Sequence, residues 1–200
     1  MSEGVEEDHD VFRAVVHPTI YKSKAFSHDK MFYLQFNETD KSIVTSLVWR
    51  KYLPTEGALH SYGCSLAARR NAILQEKAEL KAKNRRVYCG AYQIGANSIH
   101  DLSSDDFLNK AIEAAEVVHA IEFDEEAHVN LVVKVRLDWQ GDVALTMTAI
   151  VDRLWNACRG PLLHICPCDA QLSSHPSINL PSAPNGQYVF PSNSMGSDDL

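Results

Sequence analysis

The sequence predicts one α+β domain built on an antiparallel sheet. Two observations carry this. Hydrophobic residues make up 45% and charged residues 22% of the 200 positions, the balance of an ordinary globular core. From residue 87 onward, apolar residues repeat with period two, then helical period, then period two twice, then helical period, then period two. That order is the βαββαβ order of a ferredoxin-like core over residues 87–168.

Ahead of that core, residues 11–17 (VFRAVVH) read as a strand that stops at Pro18. Residues 31–36 (MFYLQF) and 42–52 (SIVTSLVWRKY) flank the turn residues NETDK, so they are expected to form an antiparallel hairpin. A long helix is expected over roughly residues 57–83, rich in Ala, Leu, Glu, Lys, Gln and Arg. Its apolar stripe is narrow: Tyr62, Leu66, Ile73 and Leu80. Its other faces carry Arg69, Arg70, Lys77 and Lys81, with Lys83, Arg85 and Arg86 at the C-terminal end, where cations suit the helix dipole.

Within the core, residues 87–94 (VYCGAYQI) form the first strand. Ser103 or Ser104 then caps a helix with Phe107, Leu108, Ala111, Ile112 and Ala115 on one face. Residues 117–123 and 128–137 (HVNLVVKVRL) pair as a hairpin about the loop DEEA. Asp142 begins a second helix whose inner face is Val143, Met147, Ile150, Val151, Leu154 and Cys158. Gly160 and Pro161 end it, and residues 162–166 supply the last strand.

The termini differ from this body. Residues 1–10 are too acidic and polar to bury anything, and residues 171–200 scatter Pro among Ser and Asn. Both are expected to be disordered, leaving residues 11–170 as a single domain. The tail patch QYVFP (187–191) is apolar enough to seek a partner's groove or sheet edge.

No run of about 18 apolar residues is present, and the N-terminus lacks the features of a targeting peptide. Five irregularly spaced cysteines do not resemble a secreted disulfide scaffold. A cytoplasmic protein with reduced thiols and no membrane contact is therefore expected. The net charge is −7, yet residues 41–86 hold ten Lys and Arg against three acids, so a basic face on an acidic body is expected.

Three functional readings follow. The leading one is a non-enzymatic binding module, or a subunit of a larger assembly, whose basic helix meets an acidic protein partner or a second copy of itself. It leads because no catalytic motif such as G-x-G-x-x-G, H-E-x-x-H or G-x-S-x-G is found. The second is RNA binding through residues 66–86. Arg69, Arg70, Lys77, Lys81, Lys83, Arg85 and Arg86 would track phosphates, and Tyr88 and Tyr92, four apart and so on one face of a strand, would stack bases. The third is a metal or catalytic site at His164, Cys166 and Cys168, which alternate onto one strand face and offer the ligand types zinc takes. His60 and Cys64, four apart on the long helix, would complete it. Otherwise no cofactor is implied.

Overall fold

The computed structural model describes residues 10–17, 21–22, 25–81, 84–120, 126–164 and 180–190. The chain is α+β, with a seven-stranded antiparallel sheet and five α-helices among the described residues. In chain order the main elements are β1 (Asp10–His17), β2 (Tyr21–Lys22), β3 (Ala25–Phe26), α1 (His28–Phe32), β4 (Gln35–Asn37) and β5 (Ser42–Trp49). Next come α2 (Glu56–Glu76), β6 (Val87–Gly95), α3 (Ala96–His100), α4 (Leu108–Ala111) and β7 (Ile112–His119). The series ends with β8 (His128–Val135), α5 (Val143–Ala157) and β9 (Arg159–Leu163).

The strand order is β7-β8-β5-β1-β6-β9, with β4 added to β5. This corrects the ferredoxin-like expectation. The outer pairs of that fold are present, β6 with β9 and β7 with β8, but β6 and β8 are not neighbours. β1 and β5 lie between them. The physical reason is that both strands are apolar on two faces. Val11 and Val15 of β1 enter one core and Phe12 the other; Leu47 and Trp49 of β5 enter the first and Val48 the second. Strands of that kind are stable only in the middle of a covered sheet.

The larger core lies between the sheet and α1, α3, α4 and α5. Ile150, Val151, Leu154 and Cys158 from the last helix and its end meet Tyr92, Ile94, Leu131 and Val133 there. Asp142 caps α5 by accepting from Ala144 N at 2.7 Å. The second core is smaller. Leu59 of α2 joins Phe12, Val48, Ala91, Leu162 and Tyr188 in it. β8, by contrast, alternates between buried and half-buried residues and is covered on one face only.

Several predicted elements change. The hairpin turn at residues 38–41 does join antiparallel strands, but the first is only Gln35–Asn37. Met31 and Phe32 instead lie buried in α1, whose Phe32 carbonyl accepts from the Thr45 hydroxyl of β5. The helix expected from residue 103 to residue 115 shrinks to α4. Asp105 caps it, accepting from Phe107 N and Leu108 N at 2.9 and 3.1 Å, and pairs with Arg153 at 2.6 Å. Beyond it, Ile112, Ala115 and Val117 turn inward along strand β7, so pairing with β8 overrides good helix formers.

The long helix stops at Glu76. Ala78 turns left-handed (φ 54°), and Ala78 N and Glu79 N bond back to Gln75 O and Leu74 O at 2.9 and 2.8 Å. This is a Schellman ending, which places Lys81, Arg85 and Arg86 outside the helix. Lys83 lies outside the described residues.

Part of the expected disordered tail is packed. Residues 180–190 cross the β9 edge as a strap, with Leu180 and Ala183 in the larger core and Tyr188 in the smaller. Its backbone is tied to the end of α5 and the start of β9: Gly160 N donates to Gly186 O at 2.8 Å and Asn185 N to Cys158 O at 3.2 Å. The expectations for residues 1–9, 171–179 and 191–200 lie outside the described residues.

Candidate functional site

Two constellations sit on α2. The first faces the sheet. Thr55 caps the helix by accepting from Ala58 N at 3.2 Å, which sets the phase of the turns that follow. His60 and Cys64 then fall one above the other on the side toward β6 and β9. Between them, Gly63 lets the helix settle onto the ring of Tyr88: a Cβ at residue 63 would stand 2.4 Å from that ring.

His164 arrives from the far end of the sequence. Its backbone N–H donates to Cys89 O at 3.0 Å, continuing the β9–β6 pairing by one residue. Leu162 on the same strand points into the smaller core, so His164, two residues on, faces α2 as well. Cys64 Sγ and His164 Nε2 are 3.4 Å apart. The His60 and His164 rings stack at 4.3 Å with 24° between planes. His60 is held at both nitrogens, Nδ1 3.3 Å from Tyr88 Oη and Nε2 3.2 Å from Glu56 Oε1.

The electrostatics of this cluster favour neutral groups. Burial pushes the Cys64 thiol up. Burial, then the neighbouring His60, pulls His164 down. Burial raises Tyr88 well above the usual phenol range, with Cys64, Cys89 and Glu56 adding to it. At neutral pH the thiol is therefore protonated and the imidazole neutral, and in the Nδ1–H tautomer of His164 the thiol donates to the lone pair of Nε2.

This arrangement bears on the metal expectation. Near-parallel imidazoles direct their lone pairs side by side and not at one point. Among the described residues no group of three or more His, Cys, Asp and Glu side chains is disposed to hold a metal ion. Of the predicted ligands, His164 joins His60 and Cys64, while Cys166 and Cys168 lie outside the described residues.

The second constellation faces solvent. The buried residues of α2 are Leu59, Gly63 and Ala67, all in its first twelve positions. Beyond Ala67 the helix runs outward with Arg69, Arg70 and Lys77 exposed, and Lys81 exposed just after it. Arg85 and Arg86 are half-buried where the chain enters β6. Asn71 clips this junction, accepting from Arg86 N at 2.7 Å and donating to Arg86 O at 2.9 Å.

Arg70 stands among other guanidiniums. Arg86 is lowered by burial and then by Arg70. Arg13 is lowered to about 10, again by burial first and Arg70 second. Arg13 fills the gap where β1 and β5 diverge, donating to the carbonyls of Met31 and Ser46.

The tyrosines predicted to share a face do not. Val15 pairs with Gly90 and Val16 with Tyr88, so Cys89 is an extra residue in a β-bulge. Gly90 adopts φ 146°, and a Cβ there would lie 2.2 Å from Leu162 O, so only glycine fits. The bulge shifts the alternation. Tyr88 goes under α2, whereas Tyr92 enters the larger core against Trp155 and donates to Pro181 O at 2.7 Å. Both are buried, so neither offers a face to a base.

Sequence reasoning named His60 and Cys64 as residues that would complete a site at His164, and these three do meet; Cys166 and Cys168 lie outside the described residues, and Glu56 and the buried role of Tyr88 were missed. The signal that was available is the i, i+4 spacing of Glu56, His60 and Cys64. No helix among the described residues is long and apolar enough to cross a membrane. Comparison with protein-family models, with curated proteins and with solved structures finds no match to this chain.

Proposed function

We propose that the chain is a binding module that docks an acidic protein surface on the outer half of α2. The observation that supports this reading best is the exposed run of Arg69, Arg70 and Lys77 on the outer half of α2, with Arg86 half-buried close enough to Arg70 to be lowered by it after burial. Like charges held together raise the energy of the unbound state, and an acidic partner relieves it. The burial of Tyr88 and Tyr92 removes the stacking platform an RNA reader would need, which favours a protein partner over a nucleic acid.

The test is fluorescence anisotropy of a labelled oligoglutamate, with an oligouridine of equal length as comparator. The expected result is saturable binding of the oligoglutamate that weakens as salt rises. The double variant R69E/R70E should bind it about tenfold more weakly, since each reversed rim charge is worth on the order of 1 kcal/mol or less. Absence of binding at low salt, or equal binding by the variant, contradicts the proposal. Tighter binding of oligouridine would replace it with the nucleic-acid reading. Sedimentation of the chain alone at low and high salt identifies whether the acidic surface is that of a second copy.

A further inference from the structure

We infer that Cys64 is a nucleophilic thiol that accepts an acyl group from activated acyl donors, with His164 as its base. The inference stands on geometry independent of the cationic face. Of the three described cysteines, Cys89 and Cys158 are buried, whereas Cys64 is half-buried and has an imidazole nitrogen at 3.4 Å. A nucleophile, a base in reach of its proton and a group that orients the base are the parts such chemistry requires. Here the orienting group is His60, stacked on His164 and fixed in turn by Glu56 and Tyr88. The backbone bond from His164 N to Cys89 O fixes the base from the other side.

The protonation states suit a base-assisted step and not a preformed thiolate. A neutral imidazole can take the proton as sulfur attacks, and a thiol of raised pKa is the stronger nucleophile once that proton has left. In the step, the Cys64 S–H proton passes to His164 Nε2, an S–C bond forms to the acyl carbon, and the bond from that carbon to the leaving oxygen or sulfur breaks. The leaving group departs as an anion or takes the proton from His164. The product is an acyl thioester on Cys64 and a free alcohol, phenol or thiol; no oxidant or reductant is involved.

The experiment uses the full chain and p-nitrophenyl acetate, with acetylation of each cysteine followed by peptide mass spectrometry. The expected result is acetyl on Cys64 ahead of Cys89 and Cys158, released by hydroxylamine and accompanied by p-nitrophenolate. H164Q should slow acetylation of Cys64 by tenfold or more, the lower range of what a positioned base supplies. The wild-type pH profile gives a second readout that does not depend on the variant folding. Because His164 is the base, the rate at Cys64 should level off by about pH 7, whereas an unassisted thiol, raised by burial as Cys64 is, gains tenfold per pH unit through and beyond the ordinary thiol range of about 8.5. Acetylation of Cys64 no faster than that of the buried cysteines, a rate in folded H164Q equal to wild type, or a profile that climbs through pH 8 overturns the assignment.

Discussion

Replacing Gly63 by alanine lowers the stability of the fold by about 2 kcal/mol. The added methyl would lie 2.4–2.5 Å from three ring atoms of Tyr88. That ring is 1% exposed and its hydroxyl is engaged with His60, so it has little room to move aside. Overpacking of this kind costs about 1–3 kcal/mol or more, which exceeds the gain of roughly 1 kcal/mol that alanine brings to a helix interior. Gly57 in the same helix is the control, because a Cβ there meets nothing within 4 Å. Urea denaturation should show G57A at or above wild-type stability and G63A clearly below it. Equal stability of G63A would mean that α2 does not rest on β6 as closely as described.

Phe12→Ala costs about 3–5 kcal/mol, the range for removing a fully buried aromatic side chain. Phe12 is 0% exposed and is the sheet residue against which the aromatic end of the strap packs. Tyr188 meets its ring edge-on at 5.5 Å and Phe190 stacks on it at 5.6 Å. The variant should therefore lose more than the area of one ring: the strap end should become open to proteolysis near residues 187–190 under conditions where the wild type is resistant. Val189→Ala is the matched control. Val189 is 79% exposed, so its truncation should stay within about 0.5 kcal/mol of wild type. Wild-type stability and protease resistance in F12A would contradict the packing of residues 188–190 on the second face.

These residues also show what was legible in the sequence and what was not. α5 was readable because one periodic face, from Val143 to Leu154, and one capping aspartate specify it locally. The β7–β8 pairing was readable for the same reason, although where β7 begins was not. Residues 110–115 (KAIEAA) are mostly good helix formers behind a capping sequence, and only contact with β8 makes residues 112–115 a strand. The strand order was hidden because nothing in a local pattern states which neighbour a strand takes. The clue that β1 and β5 are central, apolar residues on both faces, was present at Val11 and Phe12 and at Leu47 and Val48.

The candidate site was half legible. His60 and Cys64 were placed on one helix face by spacing alone. Their meeting with His164 was expected only as part of a metal site; across a separation of 100 residues no local pattern gives the thiol–imidazole pairing itself. The bulge at Cys89 and Gly90 was equally invisible, and it is what parts Tyr88 from Tyr92. Leu180, Ala183 and Tyr188 fit no period because the strap has none; its order comes from the surface it crosses.

The sheet order underlies the rest, since β1 and β5 between β8 and β6 leave β6 and β9 as the side on which α2 and His164 meet. A designed disulfide tests it directly. Ser46 of β5 is opposite Asn130 of β8, and the Ser46 carbonyl turns away to Arg13, so the two form a non-hydrogen-bonded pair. Such pairs hold their Cα atoms roughly 4.5 Å apart, within the roughly 4.4–6.8 Å that a disulfide spans. Mild oxidation of S46C/N130C should yield a peptide pair joined through residues 46 and 130. Recovery of both cysteines unlinked, each open to alkylation, would contradict the order and return β8 to the side of β6.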